Sequence, residues 1–121
     1  MGRATCLLVL LLLLAVPFAQ ARSTVVPYAG FYDCRHPDFT HYSDVLLRTN
    51  GTYVQGFVDS SGRRFKRVLG KGVFTRSGSR LTFRSGPLRS MYGLVKTQRK
   101  FGLWLYGEPV YSEYCYYTNK N

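Results

Sequence analysis

Short runs of alternating apolar and polar residues, separated by glycine- and proline-bearing turns, recur through most of this chain. That period of two predicts half-buried strands, and no stretch after residue 21 shows a helical period. Residues 28–34 and 42–48 predict the first two strands, and Asn50-Gly51 is a strong hairpin signal. Residues 52–58 follow, with Tyr53, Gln55 and Phe57 on one face. Asp59-Ser60-Ser61-Gly62 is a turn by composition. Residues 65–69 and 71–76 predict two strands broken or bulged near Gly70 and Gly72, and Ser77-Gly78-Ser79 turns the chain again. Residues 80–85 alternate clearly, Leu81 and Phe83 inward, with Arg80, Thr82 and Arg84 outward, and Gly86-Pro87 ends the run. Residues 88–96 fit either a loop with a helical turn or a weak strand. Residues 101–106 set Phe101, Leu103 and Leu105 against Trp104 and Tyr106, and 110–117 close the pattern. The expected core is Phe31, Tyr53, Phe57, Phe74, Leu81, Phe83, Leu103 and Leu105.

An all-β fold follows. A meander of about seven to eight strands tends to close and hide its edges, so a small antiparallel up-and-down barrel is favoured, with a two-sheet sandwich as the alternative. Ahead of it, Arg3, the apolar run 6–16 and the small residues of Ala19-Gln20-Ala21 form the pattern of a cleaved secretory signal over 1–21. Residues 22–27 and 118–121 are expected to be loose tails around a single β domain at 28–117. Loss of the signal removes Cys6 and leaves Cys34 and Cys115. In an oxidising compartment these two form one disulfide, joining the first strand to the last. Their wide separation excludes a zinc knuckle of C-x-x-C type.

A glycine stands two residues before an aromatic in Gly30-Phe31-Tyr32, Gly51-Thr52-Tyr53 and Gly72-Val73-Phe74. With these the chain resembles the lipocalin-like class of small secreted β-barrels. The resemblance implies a barrel architecture alone. The lipocalin Gly-x-Trp and C-terminal helix are absent, so no binding residue carries over.

Charge changes the picture further. The chain carries 17 Lys and Arg against 6 Asp and Glu, a formal +11. No acid lies between Asp59 and Glu108, whereas twelve cations do. Such a field attracts polyanions. The outward row Arg76, Arg80, Thr82 and Arg84, extended by Arg63, Arg64, Lys66 and Arg67, is the candidate anion-binding face, since Arg makes bidentate contacts to phosphate, sulfate and carboxylate. The same charges would also defend an edge strand against association.

Other chemistry is sparse. His36-Pro37-Asp38-Phe39-Thr40-His41 gathers residue types able to bind a metal or share acid–base work, but as a polar loop it is equally explained by structure. Asp33, Asp44 and Glu113 could supply a glycosidase-like carboxylate pair, but nothing in their spacing enforces their approach. Gly-x-Ser-x-Gly, H-E-x-x-H and P-loop motifs are all absent, and no cofactor or metal is expected. Asn50-Gly51-Thr52 is a formal glycosylation sequon. The leading expectation is a secreted, monomeric, non-catalytic protein binding an anionic polymer or surface, such as an acidic glycan or cell-wall polyanion. Genomic nucleic acid is not an expected partner. The alternatives are a protein–protein module such as an enzyme inhibitor, presenting 59–64 or 85–91, and a small hydrolase using His36 and His41. A small apolar ligand inside the barrel is disfavoured, because so many large aromatics fill a barrel of this size.

Overall fold

The computed structural model describes residues 25–118. The signal expected at 1–21, residues 22–24 of the expected first tail and residues 119–121 of the second lie outside the described residues. Among the described residues eight strands run in chain order: β1 (Gly30–Arg35), β2 (His41–Leu47), β3 (Thr52–Val58), β4 (Phe65–Ser77), β5 (Arg80–Phe83), β6 (Met91–Thr97), β7 (Lys100–Leu105) and β8 (Glu113–Tyr117). Each pairs antiparallel with the next, and β8 returns to β1, so the sheet closes into an up-and-down barrel. Closure removes the two-sheet sandwich from consideration. Among the described residues no helix is long and apolar enough to cross a membrane.

One covalent bond fixes which face points inward. Cys34 and Cys115 are direct partners across the β1–β8 seam, joined as a disulfide. Because side chains alternate along a strand, Tyr32 shares the face of Cys34, and Glu113 and Tyr117 share that of Cys115. Register then carries the inward set around the sheet through Val45, Tyr53, Leu81 and Leu103, all buried. The interior is packed with side chains, Tyr32 against Phe101 and Tyr53 against Phe83 in edge-on contacts, as a barrel of this strand number allows.

The expected core needs correction in three places. Phe31 is half-buried on the outer face against Phe65, because Cys34 claims the opposite parity for the interior. Phe57 is half-buried where β3 slips register against β4. Leu105 is 38% exposed, since it ends β7 two residues beyond Leu103, the last residue with a partner on β8.

The strands expected at 65–69 and 71–76 are a single strand, β4, whose register against β3 shifts at Gln55/Gly56 and Phe57/Val58. Its pairing with β5 covers only Phe74 to Ser77. Upstream, residues 84–90 replace the missing ladder: Arg84 N–H donates to Val73 O, Val73 N–H donates to Ser85 Oγ, and Leu88 is buried. Tyr53 clamps this segment, its hydroxyl donating to Ser85 O at 2.8 Å and accepting from Leu88 N–H at 2.9 Å. Residues 91–97, open between two readings in the sequence, are strand β6. The last strand begins at Glu113, three residues after the apolar run that predicts it.

The β2–β3 hairpin turns one residue before Asn50-Gly51. Gly51 N–H donates to Arg48 O and Gly51 has φ +84°, the three-residue connection that ends on a left-handed glycine. At the limits of the described residues Val25 packs against the core, Tyr28 N–H donates to Gln98 O, and Thr118 N–H donates to Phe31 O.

Candidate functional site

The cations lie along β4, β5 and the turns beside them. Arg63 and Arg64 sit on the exposed 59–64 turn, and Lys66 and Arg67 lie exposed at the start of β4. Arg80 lies on the outer side of β5, as the alternation requires, and Arg84 follows the strand, donating through Nε to Thr75 Oγ1. Arg76 leaves that row. It stands opposite Leu81, so it shares the inward parity and turns into the barrel mouth, donating through Nη1 to Gly78 O. There it lines a cavity of about 360 Å³ with Arg48, Tyr28, Leu47 and Phe74. Among the described residues, no Lys or Arg from Arg48 to Lys100 has a carboxylate within 4.0 Å; the one Arg–carboxylate pair is Arg35 with Asp33. Arg64 lies near enough to Asp59 to help lower its carboxyl, which the Ser61 hydroxyl lowers most.

The acids gather elsewhere. Asp33 and Asp44 face each other across β1 and β2, and a bare pair of like charges there would be destabilising. Arg35 donates to both oxygens of Asp33, through Nε at 3.2 Å and Nη2 at 2.9 Å. His41 Nε2 lies 3.1 Å from Asp44 Oδ1 and 3.7 Å from Asp33 Oδ1, and Val58 N–H donates to Asp44 Oδ2. The three groups offer atoms within 4.8 Å of one another, a metal-like spacing. The guanidinium already engages both oxygens of one of the two carboxylates, so this is an ion-pair network.

The two histidines part company. His36 Nδ1 lies 3.8 Å from Glu113 Oε1, whereas His41 serves the outer network. Glu113 is buried with the inward parity of Cys115, and a separate buried hydrogen bond runs from Gln55 Nε2 to Ser43 Oγ. Burial pushes its carboxyl up, with His36 acting against that, and Oε2 has no hydrogen-bond partner among the described residues. Asp38 caps its own loop, accepting from Thr40 N–H and Oγ1–H. Asn50 repeats that device with Thr52 on an exposed turn.

A feature the charge pattern does not reveal runs over the outer face of β6–β8. Tyr92 and Trp104 are direct partners, parallel within 15° at 6.5 Å. Trp104 meets Tyr111 at 6.2 Å, and Tyr111 meets Tyr114 at 4.0 Å. Cations stand at both ends: the Arg80 guanidinium lies 4.2 Å from the Tyr92 ring centre and Lys100 Nζ 4.2 Å from that of Tyr114. Gly102 makes room, because a Cβ there would sit 3.0 Å from Tyr114 Cε1 and 3.4 Å from Trp104 Nε1. The signal for this face is in the sequence: Cys115 inside puts Tyr114 and Tyr116 outside, and Leu103 inside puts Trp104 outside.

Comparison with protein-family models, curated proteins and solved structures finds no match to this chain.

Proposed function

We propose that this is a secreted, non-catalytic binding protein that engages an anionic polymer or surface, an acidic glycan or cell-wall polyanion, through the cations along β4, β5 and the adjoining turns. What supports this reading is the absence, among the described residues, of any carboxylate within ion-pair distance of the cations from Arg48 to Lys100. A one-sign field left uncompensated on a surface concentrates polyanions and repels basic partners. The disulfide belongs to an oxidising compartment, which agrees with the signal pattern. The likeness to lipocalin-like barrels extends to architecture and lends no ligand.

Heparin chromatography tests the proposal. Counterion release makes true polyanion binding steeply salt-dependent, by close to one unit of log K per log salt for each contact. Replacing Lys66, Arg67, Arg80 and Arg84 with Gln lowers the eluting salt and flattens that slope. Elution in the void volume at low salt, or retention indifferent to all four changes, overturns it.

The inhibitor reading draws support from one loop. Phe39 is 68% exposed with φ +68°, held by Arg35 Nη1 on its carbonyl and the Asp38 turn beside it. That is a presented aromatic on a fixed backbone. The 84–90 segment is a weaker candidate for presentation, since Leu88 anchors it inward.

A further inference from the structure

We propose that the outer face of β5–β8 is a stacking platform for the sugar rings of an acidic polysaccharide. The proposal takes the negative charge of the partner from the reading above and adds the means by which it is gripped. A pyranose ring carries its hydroxyls around its edge and presents weakly positive C–H groups on its faces. Aromatic faces carry the negative part of a quadrupole, so the two surfaces stack. Trp104 and Tyr111 form the middle of the band, with Arg80 on Tyr92 at one end and Lys100 on Tyr114 at the other. Outward positions of β5–β8 carry no acid. Uronate carboxylates would therefore meet Arg80 and Lys100, whose side chains the rings already hold in place, while the rings between take the sugar faces.

Cross-strand aromatic pairs also stabilise a sheet, and that accounts for the contacts among the rings. It does not account for a cation at each end with, among the described residues, no carboxylate within 4.0 Å. Nor does it account for Tyr106, 51% exposed with its ring 5.1 Å from that of Tyr92. Exposed apolar surface of this kind marks interaction sites. Single-stranded nucleic acid uses the same combination of rings and charge. The disulfide favours the glycan, because glycans are the abundant ring-containing polyanions of oxidising compartments.

Trp104 is the sole tryptophan in the sequence, so its emission reports on the centre of the platform. The disulfide-intact protein is titrated with polygalacturonate, a neutral dextran, polyphosphate and oligothymidylate. The expected result is a polygalacturonate-dependent change in Trp104 emission. Tyr92→Ala and Tyr114→Ala each weaken that binding about three- to tenfold and leave polyphosphate affinity within about twofold. Tyr92→Phe and Tyr114→Phe keep the rings and keep the affinity, which separates loss of stacking from loss of fold. Polygalacturonate binding with silent Trp104 emission and no effect of either alanine variant overturns the platform while the charge reading survives. Dextran binding as tightly as polygalacturonate, with polyphosphate unbound, overturns the acidic assignment and the charge reading together. Oligothymidylate binding more tightly than polygalacturonate with the same Trp104 response assigns the face to nucleic acid instead.

Discussion

Glu113 shows how one residue can set the pH response of the fold. Inside the barrel its carboxyl is pushed above the ordinary 4.5 by burial, and the nearby His36 only partly offsets this. The folded state therefore keeps the proton to a higher pH than the unfolded chain. Between those two values the folded state binds more protons, so stability falls as pH rises through the interval and the loss is complete above it. Glu113→Gln removes that slope and takes a buried charge out of the barrel. The variant is expected to melt above the parent at neutral pH, by roughly 1 kcal/mol, the scale of one unsatisfied buried group. Near pH 4 the two should converge. Thermal melts at both pH values measure this, and a variant destabilised at neutral pH but not near pH 4 would show that the carboxylate is needed as a charge.

At the scale of elements, β4 is the weak point of the sheet and the best test of how it is repaired. Only its last four residues pair with β5, and above them residues 84–90 lie against glycines. A Cβ on Gly72 would stand 2.1 Å from Ser85 O and 2.7 Å from Tyr53 Cε1; one on Gly70 would meet the Pro87 ring at 2.7 Å. Gly72→Ala must displace backbone, so a loss of about 1–3 kcal/mol is expected, the usual range for overpacking. It should appear as a lower urea midpoint; an unchanged midpoint would mean that the 84–90 segment yields freely and is no substitute for a ladder. These glycines also explain what the sequence conceals. Alternation reads most cleanly in β5, where Leu81 and Phe83 are buried and Arg80 is exposed, and less so in β2 and β3, which bury three and four consecutive residues. Gly70 and Gly72 look like breaks because their role, letting another segment lie on the strand, depends on residues a dozen or more positions away. Arg76 was unreadable for a related reason: its face depends on whether the hairpin sets it against Leu81 or Thr82, and register, not composition, decides. The aromatic band was legible in principle, since the cysteines fix parity in β1 and β8, but the closeness of Trp104 to Tyr111 needs the fold.

For the whole molecule, the question is what keeps the ends of a meander together. The β1–β8 seam consists of four cross-strand pairs, from Tyr32↔Tyr117 to Arg35↔Tyr114, with the disulfide at Cys34↔Cys115 among them. The cross-link closes a loop of 81 residues in sequence, for which chain entropy gives about 4.5 kcal/mol. Domains of this size hold only about 5–15 kcal/mol in all, so the bond accounts for a large share. Its loss should be felt unevenly. β2–β3 and β6–β7 are hairpins that keep local partners, whereas β8 follows a connecting loop from β7 and depends on the seam for its second neighbour. Reduction, or the double substitution Cys34→Ala and Cys115→Ala, is therefore expected to lower global stability by about 4 kcal/mol. It should also release amide protection first in β8 and β1, before β2–β3 or β6–β7 open. Hydrogen exchange with and without reductant reads both effects. Uniform loss of protection around the barrel would mean that closure is cooperative through every seam and that the cross-link merely adds to it. The order of opening matters for binding as well, because Tyr114 and Tyr116 ride on β8 and Lys100 pairs with it. If β8 frays first, reduction should abolish the Trp104 response to polygalacturonate while the cations along β4 still hold polyphosphate.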